Sequence, residues 1–149
     1  MTDETLRAVD LNRIGRGRYE ATNARGGKLE LGSGDGDQFT PVELLLTAIA
    51  GCGAIDVDFI TSKRAEPTRF EVRMTGDKVR DDSGNHMTNL SLTFDIAFPD
   101  DEAGAEAREV LPRSVAQSHD RLCTVSRTVE LGTPVAVHLN EGNLTEPED

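Results

Sequence analysis

From Leu44 to Ile60 the chain is apolar on nearly every side of a helical projection, with Leu45, Leu46, Ala48, Ile49, Ala50, Ala54, Ile55, Val57 and Phe59 all contributing. So continuous an apolar surface predicts a buried helix. Its start is clearly punctuated: Thr40 suits the N-cap, Pro41 the first helical position and Glu43 the third, a T-x-x-E capping box. The helix is predicted over about 41–63, and Pro67 closes the region. Before it, Tyr19 and Ala21, then Leu29 and Leu31, alternate with polar residues on either side of Arg25-Gly26-Gly27, which predicts N-terminal strands over about 12–32 including a hairpin. The run Gly32-Ser33-Gly34-Asp35-Gly36-Asp37 reads as a loop.

After Pro67, Phe70, Val72 and Met74 share one parity, and Leu90, Leu92, Phe94, Ile96 and Phe98 share another. This predicts a long β-hairpin over about 68–98, turning near Asp81-Asp82-Ser83-Gly84-Asn85. A second helix is predicted over about 101–121, bent or restarted at Pro112. C-terminal strands are predicted over about 124–139, one from Val125 to Leu131 and one through Val135, Val137 and Leu139, split at Gly132-Thr133-Pro134, followed by an acidic tail over 140–149. The fold class is α+β, a single domain over 1–149 with a buried helix between strands and hairpins.

Composition narrows the function. With 16 Lys plus Arg against 27 Asp plus Glu, the net charge of −11 repels phosphate backbones and anionic lipid, so neither nucleic acid nor a membrane surface is an expected partner. No uninterrupted apolar run reaches the roughly 18 residues that span a bilayer, and the opening MTDETLRAVDLNR lacks the order of a signal peptide, so a cytoplasmic location is expected. In a reducing cytosol two cysteines do not form a structural disulfide framework. His86, His119 and His138 are scattered singly, without paired ligand spacings, so no metal and no other cofactor is expected.

The candidate chemistry lies in the cysteines. Cys52 stands inside the apolar helix between Gly51 and Gly53, each of which costs a helix about 1 kcal/mol relative to alanine. That cost fits either a close approach by another element or room for a small substrate. Cys123 sits directly after the second helix, and 71 positions from Cys52 it can meet it only through the fold. A lone cysteine on an apolar helix is most often an inert small hydrophobe. A pair can instead divide the work of peroxide reduction, one thiolate attacking the O–O bond and the other thiol resolving the sulfenic acid as a disulfide. The thiolate needs a cation, and Arg25 on its glycine turn is the candidate, in competition with Arg16, Arg18, Arg121 and Arg127. Glu43 could hold that arginine, but nine residues, or about 13.5 Å of helical rise, separate it from Cys52; capping alone explains it equally well. His119 and Asp120 read as charges at a helix end rather than as partners of a nucleophile. Asp56, four residues after Cys52 on the same helical face, would raise the pKa of the thiol.

Two segments carry a resemblance to a known family: Phe39-Thr40-Pro41-Val42-Glu43-Leu44-Leu45-Leu46-Thr47-Ala48-Ile49-Ala50-Gly51-Cys52 followed by Ala54-Ile55-Asp56-Val57, and later Leu122-Cys123-Thr124-Val125. Together they resemble the OsmC/Ohr superfamily, in particular the branch with Asp-Val after the first cysteine. The resemblance implies antiparallel sheets wrapped around the buried central helix, in an intertwined homodimer with redox sites at the subunit interface. It also implies reduction of organic hydroperoxides with a thiol reductant such as a lipoyl or thioredoxin-like dithiol. Cys52 would be the peroxidatic and Cys123 the resolving cysteine, with Arg25 as their arginine and Glu43 as its carboxylate. In the family's described peroxidases the carboxylate directly follows the proline, where this chain has Val42, and Glu43 comes one position later. That displacement keeps a second reading open, a stress-related redox-sensing or binding protein with little turnover.

Overall fold

The computed structural model describes residues 4–139 and the backbone of 142–145. The chain divides into two compact units, one ending at Thr47 and one beginning at Ala48.

In the first unit, β1 (Val9–Gly15), β2 (Arg18–Asn23) and β3 (Lys28–Gly32) form an antiparallel meander in the order β1-β2-β3. Tyr19 pairs with Leu31 and Ala21 with Leu29, the register that the alternation predicts. The sheet begins at Val9, so it holds one more paired strand than the predicted hairpin. The β2–β3 turn closes through Asn23, whose Oδ1 accepts from the N–H of Arg25 at 3.1 Å and of Gly27 at 2.8 Å. Gly26 takes the positive φ of 91° that this turn requires. The Gly-Ser-Asp loop is tied at its ends, the Gly32 N–H donating to the Phe39 carbonyl at 3.0 Å.

Helix α1 (Pro41–Thr61) starts as the capping box predicts. The Thr40 N–H donates to Glu43 Oε1 at 2.9 Å, and the Glu43 N–H donates to Thr40 Oγ1 at 3.2 Å. The expectation of burial all round is corrected: within the chain only Ile49, Gly53, Val57 and Thr61, four residues apart along one stripe, are buried. Ile55 is 56% and Phe59 68% exposed. A second correction concerns length, because α1 is long and apolar enough by composition to cross a membrane. Its sequence is interrupted by Asp56 and Asp58, and at Gly53 its buried stripe meets Leu92 and Phe94 of the hairpin that follows.

The second unit is built on the hairpin of β4 (Arg69–Asp81) and β5 (Gly84–Ala97). Phe70 pairs with Ile96, Val72 with Phe94 and Met74 with Leu92, which puts the apolar parity of both strands on one face. The register shifts by a bulge between Thr75 and Asp77. At Gly76 inside it, a side chain would collide with Leu90. Helix α2 (Glu102–Gln117) is capped by Asp101, whose Oδ1 accepts from the Gly104 N–H at 2.8 Å. It runs unbroken through Pro112 and buries Gly104, Ala107 and Ser114 at helical spacing.

A single π turn, α3 (Ser118–Leu122), prolongs α2, and the Cys123 N–H closes it on the Ser118 carbonyl at 2.8 Å. The next segment is a correction: Thr124–Leu131, predicted as a strand, is helix α4. Val125, Arg127, Val129 and Leu131 alternate as a strand would, yet Val125 and Val129 also share a helical face, and the ends decide the matter. Cys123 is the extended N-cap, its carbonyl accepting from the Arg127 N–H at 2.9 Å, and Gly132 stops the helix in the left-handed region at φ 66°. β6 (Val137–Leu139) follows as expected within the C-terminal strands. Part of the segment expected as a tail is structured, since β7 (Gly142–Thr145) pairs with β6; the remainder of 140–149 lies outside the described residues.

The tightest of these contacts makes a stability prediction. A side chain at Gly104 would run into the Pro99 carbonyl, so Gly104→Ala is expected to cost about 2 kcal/mol. Thermal unfolding should show this as a fall in Tm of roughly 4–8 °C, and an unchanged Tm would refute the packing described.

Candidate functional site: a thiol pair with a carboxylate

The site lies in the second unit, where α1 passes β5 and the π turn. A methyl at Gly53 would stand 3.3 Å from Leu92 Cδ2, 3.4 Å from Phe94 Cζ and 3.9 Å from Ser118 Oγ. Of the two glycines beside Cys52, Gly53 is therefore the one that permits close approach, whereas among the described residues no atom beyond its own stretch of helix lies within 4 Å of a Cβ at Gly51. With Gly53 pressed against β5, Cys52 and Asp56, one helical turn apart, face the start of α4. The two Sγ atoms of Cys52 and Cys123 and a carboxylate oxygen of Asp56 lie within 4.8 Å of one another. Both cysteines are free thiols; Cys52 is half-buried and Cys123 is 2% exposed.

Sequence reasoning missed two contributors. Ser118, buried on the π turn, donates its hydroxyl to Asp56 Oδ2 at 2.9 Å. The Val125 backbone N–H, free at the N-terminal end of α4, hydrogen-bonds the Cys52 sulfur. The serine could have been suspected from its helical spacing with Ala107 and Ser114. The amide has no residue signature and depends on the segment being a helix.

The electrostatics favour a protonated Cys52. Burial pushes its thiol pKa up, and the hydrogen-bonded Cys123 thiol and the Asp56 carboxylate push the same way; the Val125 N–H pulls down, and the net direction is up. Among the described residues no cation is one of the groups that shift it. Asp56 takes part in none of the ion pairs among the described residues. Beside the sulfur of Cys123 lies a cavity of about 140 Å³, walled by Leu92, Phe94, Val115 and Ser126. His119 also lines it and stands 3.7 Å from Glu130 Oε1, so it faces the cavity as well as ending a helix.

The other predicted residues sit in the first unit. Arg25 is on the β2–β3 turn, its side chain in a groove with Leu6, Arg7 and Val9. Glu43 is engaged in the capping box through Oε1. Of the competing arginines, Arg18 pairs with Glu30 at 3.5 Å.

The family model described as OsmC-like protein matches residues 34–138. An uncharacterised protein of Mycobacterium tuberculosis strain H37Rv is 29% identical over 127 residues, covering 84% of this chain and 90% of that protein. Protein YhfA of Escherichia coli K12 is 30% identical over 110 residues, covering 72% of this chain and 78% of that protein. Among solved structures, an OsmC-like protein of unknown function from Vibrio cholerae aligns with a TM-score of 0.69 at 13% identity, covering 85% of this chain and 94% of that one.

A raised pKa makes Cys52 slow to alkylate at neutral pH. Peptide-resolved labelling with iodoacetamide should give Cys52 a pH midpoint above that of a free thiol, and Asp56→Asn should move the midpoint down. The linkage has a definite sign: because the native pKa is raised, the stability that this thiol contributes is present at neutral pH and is lost as pH rises through the native value. A midpoint at or below that of a free thiol would overturn the description of the site.

Proposed function

The chain belongs to the OsmC-like protein family, and from that premise we propose that it is a cytoplasmic thiol-dependent peroxidase that reduces organic hydroperoxides through Cys52 and Cys123. The observation that carries this reading is the convergence of two reduced sulfurs 71 positions apart in sequence.

Cys52, the more accessible of the two, attacks as the thiolate. Its sulfur bonds to the distal peroxide oxygen, the O–O bond breaks, and the alkoxide leaves and takes up a proton as the alcohol. The Val125 N–H donates to the sulfur throughout. Cys123 then attacks the Cys52 sulfenic acid, releasing water and closing the disulfide. A dithiol such as a lipoyl or thioredoxin-like group reduces that disulfide by exchange. The apolar walls of the neighbouring cavity suit alkyl peroxides better than hydrogen peroxide. Arg25 is proposed as the cation that stabilises the developing oxyanion, with Glu43 as its carboxylate. Because the attacking form is the thiolate of a group with a raised pKa, turnover rises with pH beyond neutrality.

A homodimer belongs to the same proposal. The exposed Ile55 and Phe59 on α1 form an apolar face that supports it. One observation favours a second reading: the Asp56 carboxylate and the absence of a cation among the groups acting on Cys52 suit a slow redox sensor, which loses two thiols once per oxidation event.

Stopped-flow consumption of an alkyl hydroperoxide with a dithiol reductant is the test. Cys52→Ser should lose turnover to background, and Cys123→Ser should accumulate sulfenic acid detectable by dimedone labelling. Stoichiometric thiol loss without turnover would leave only the sensor, and a Cys52→Ser variant equal to the parent would end both readings. For assembly, light scattering should find a dimer in the parent and a shift to monomer in Phe59→Glu; a monomeric parent would refute the dimer.

A further inference from the structure

The group at Cys52 is unusual in its charge. Two thiols and a carboxylate converge within 4.8 Å, and no cation is among the groups that act on Cys52 or pair with Asp56 in the described residues. Only Cys123 is buried and the other two are half-buried, so the set is open to solvent and can hold protons, oxidise, or take a positive ion.

The geometry fits the third possibility. Ligand atoms on a tetrahedral ion with bonds of about 2.0–2.3 Å stand roughly 3.3–3.8 Å from one another. The 4.8 Å limit exceeds this by about 1–1.5 Å, a distance that side-chain rotation covers. Cys52 and Asp56 lie one turn apart on a rigid helix, so two of the donors are preset. The carboxylate is already oriented by the buried Ser118 hydroxyl at 2.9 Å, the arrangement in which an outer hydrogen bond aims a ligating oxygen. The Val125 N–H serves the Cys52 sulfur in the same way. The cavity at Cys123 leaves room for a fourth donor from solvent. The paired-spacing rule misses this set because its members meet through the fold.

We propose that the reduced chain binds one soft or borderline divalent d10 ion, zinc or cadmium, between Cys52 Sγ, Cys123 Sγ and an Asp56 carboxylate oxygen. Ser118 orients the carboxylate, and the fourth position stays open to water or an added thiol. Two sulfurs and one oxygen select such an ion over magnesium or calcium, which prefer all-oxygen shells. Binding displaces the two thiol protons. The inference needs only the reduced thiols and is independent of peroxide turnover.

The test is an anaerobic titration of the fully reduced protein with cadmium, followed by its ultraviolet thiolate-to-metal absorption, and with zinc against a chromophoric chelator. One ion per chain and two protons released per ion at neutral pH are expected. Cys52→Ser and Cys123→Ser should each lose the cadmium band, Asp56→Asn should weaken zinc, and Ser118→Ala should weaken it by about tenfold. Far-UV circular dichroism confirms that each variant is folded, and the serine and asparagine changes, being nearly isosteric, are the decisive ones. Cadmium bound without the absorption band, or bound as tightly by folded Cys52→Ser and Cys123→Ser as by the parent, overturns the proposal. Loss of binding with hydroperoxide turnover intact sinks this inference alone, and binding without turnover sinks only the enzymatic one.

Discussion

Where α1 crosses β5, the absence of a side chain at Gly53 lets Leu92 and Phe94 come as close as van der Waals contact permits, and the rest of the site follows from that approach. The buried stripe Ile49, Gly53, Val57 and Thr61 fixes the rotation of the helix. Once the rotation is set, Cys52 and Asp56 have no choice of neighbour: they face the π turn and the beginning of α4. The cost of a glycine inside a helix, about 1 kcal/mol, is offset by the contact it allows.

Much of this was legible in the residues and some was not. The Thr40–Glu43 capping box is a local hydrogen-bond pattern, and it reads directly from sequence because both partners lie within one turn. The long hairpin is legible for a similar reason, since apolar parity survives along both strands and the pairs Phe70–Ile96 and Val72–Phe94 follow from it. The segment after Cys123 is different. Its β-branched residues and alternation favour a strand locally, whereas the structure takes the helix that a cysteine N-cap and a left-handed Gly132 delimit. Asp56 announced itself by its spacing from Cys52. Its partner Ser118 lies 62 positions away and joins it only after folding. Arg25 and Glu43 stand out in the residues by a glycine turn and a capping box, and the structure places them on that turn and in that cap within the first unit.

Replacing the predicted strand by a helix also changes the chemistry available to Cys52. A strand would spend its amides on a ladder, but the first amides of a helix have no internal acceptor, and that of Val125 is directed to sulfur. The same sulfur feels burial, a second thiol and a carboxylate, all opposed to its ionisation. Reactivity at this site is thus a contest between one favourable dipole and several unfavourable neighbours, and any positive group that enters tips it sharply.

The π turn between α2 and Cys123 has a mechanical consequence. A disulfide needs its sulfurs about 2.05 Å apart, so closing one between Cys52 and Cys123 would take side-chain rotation and whatever give the flanking segments have. α1 is locked by its four buried residues, whereas the wide turn at Ser118–Leu122 holds one residue more than an ordinary helical turn would. The slack for bond closure therefore resides on the Cys123 side. Were the pair to close, the extra residue of this turn is where the chain could give by rewinding at the end of α2.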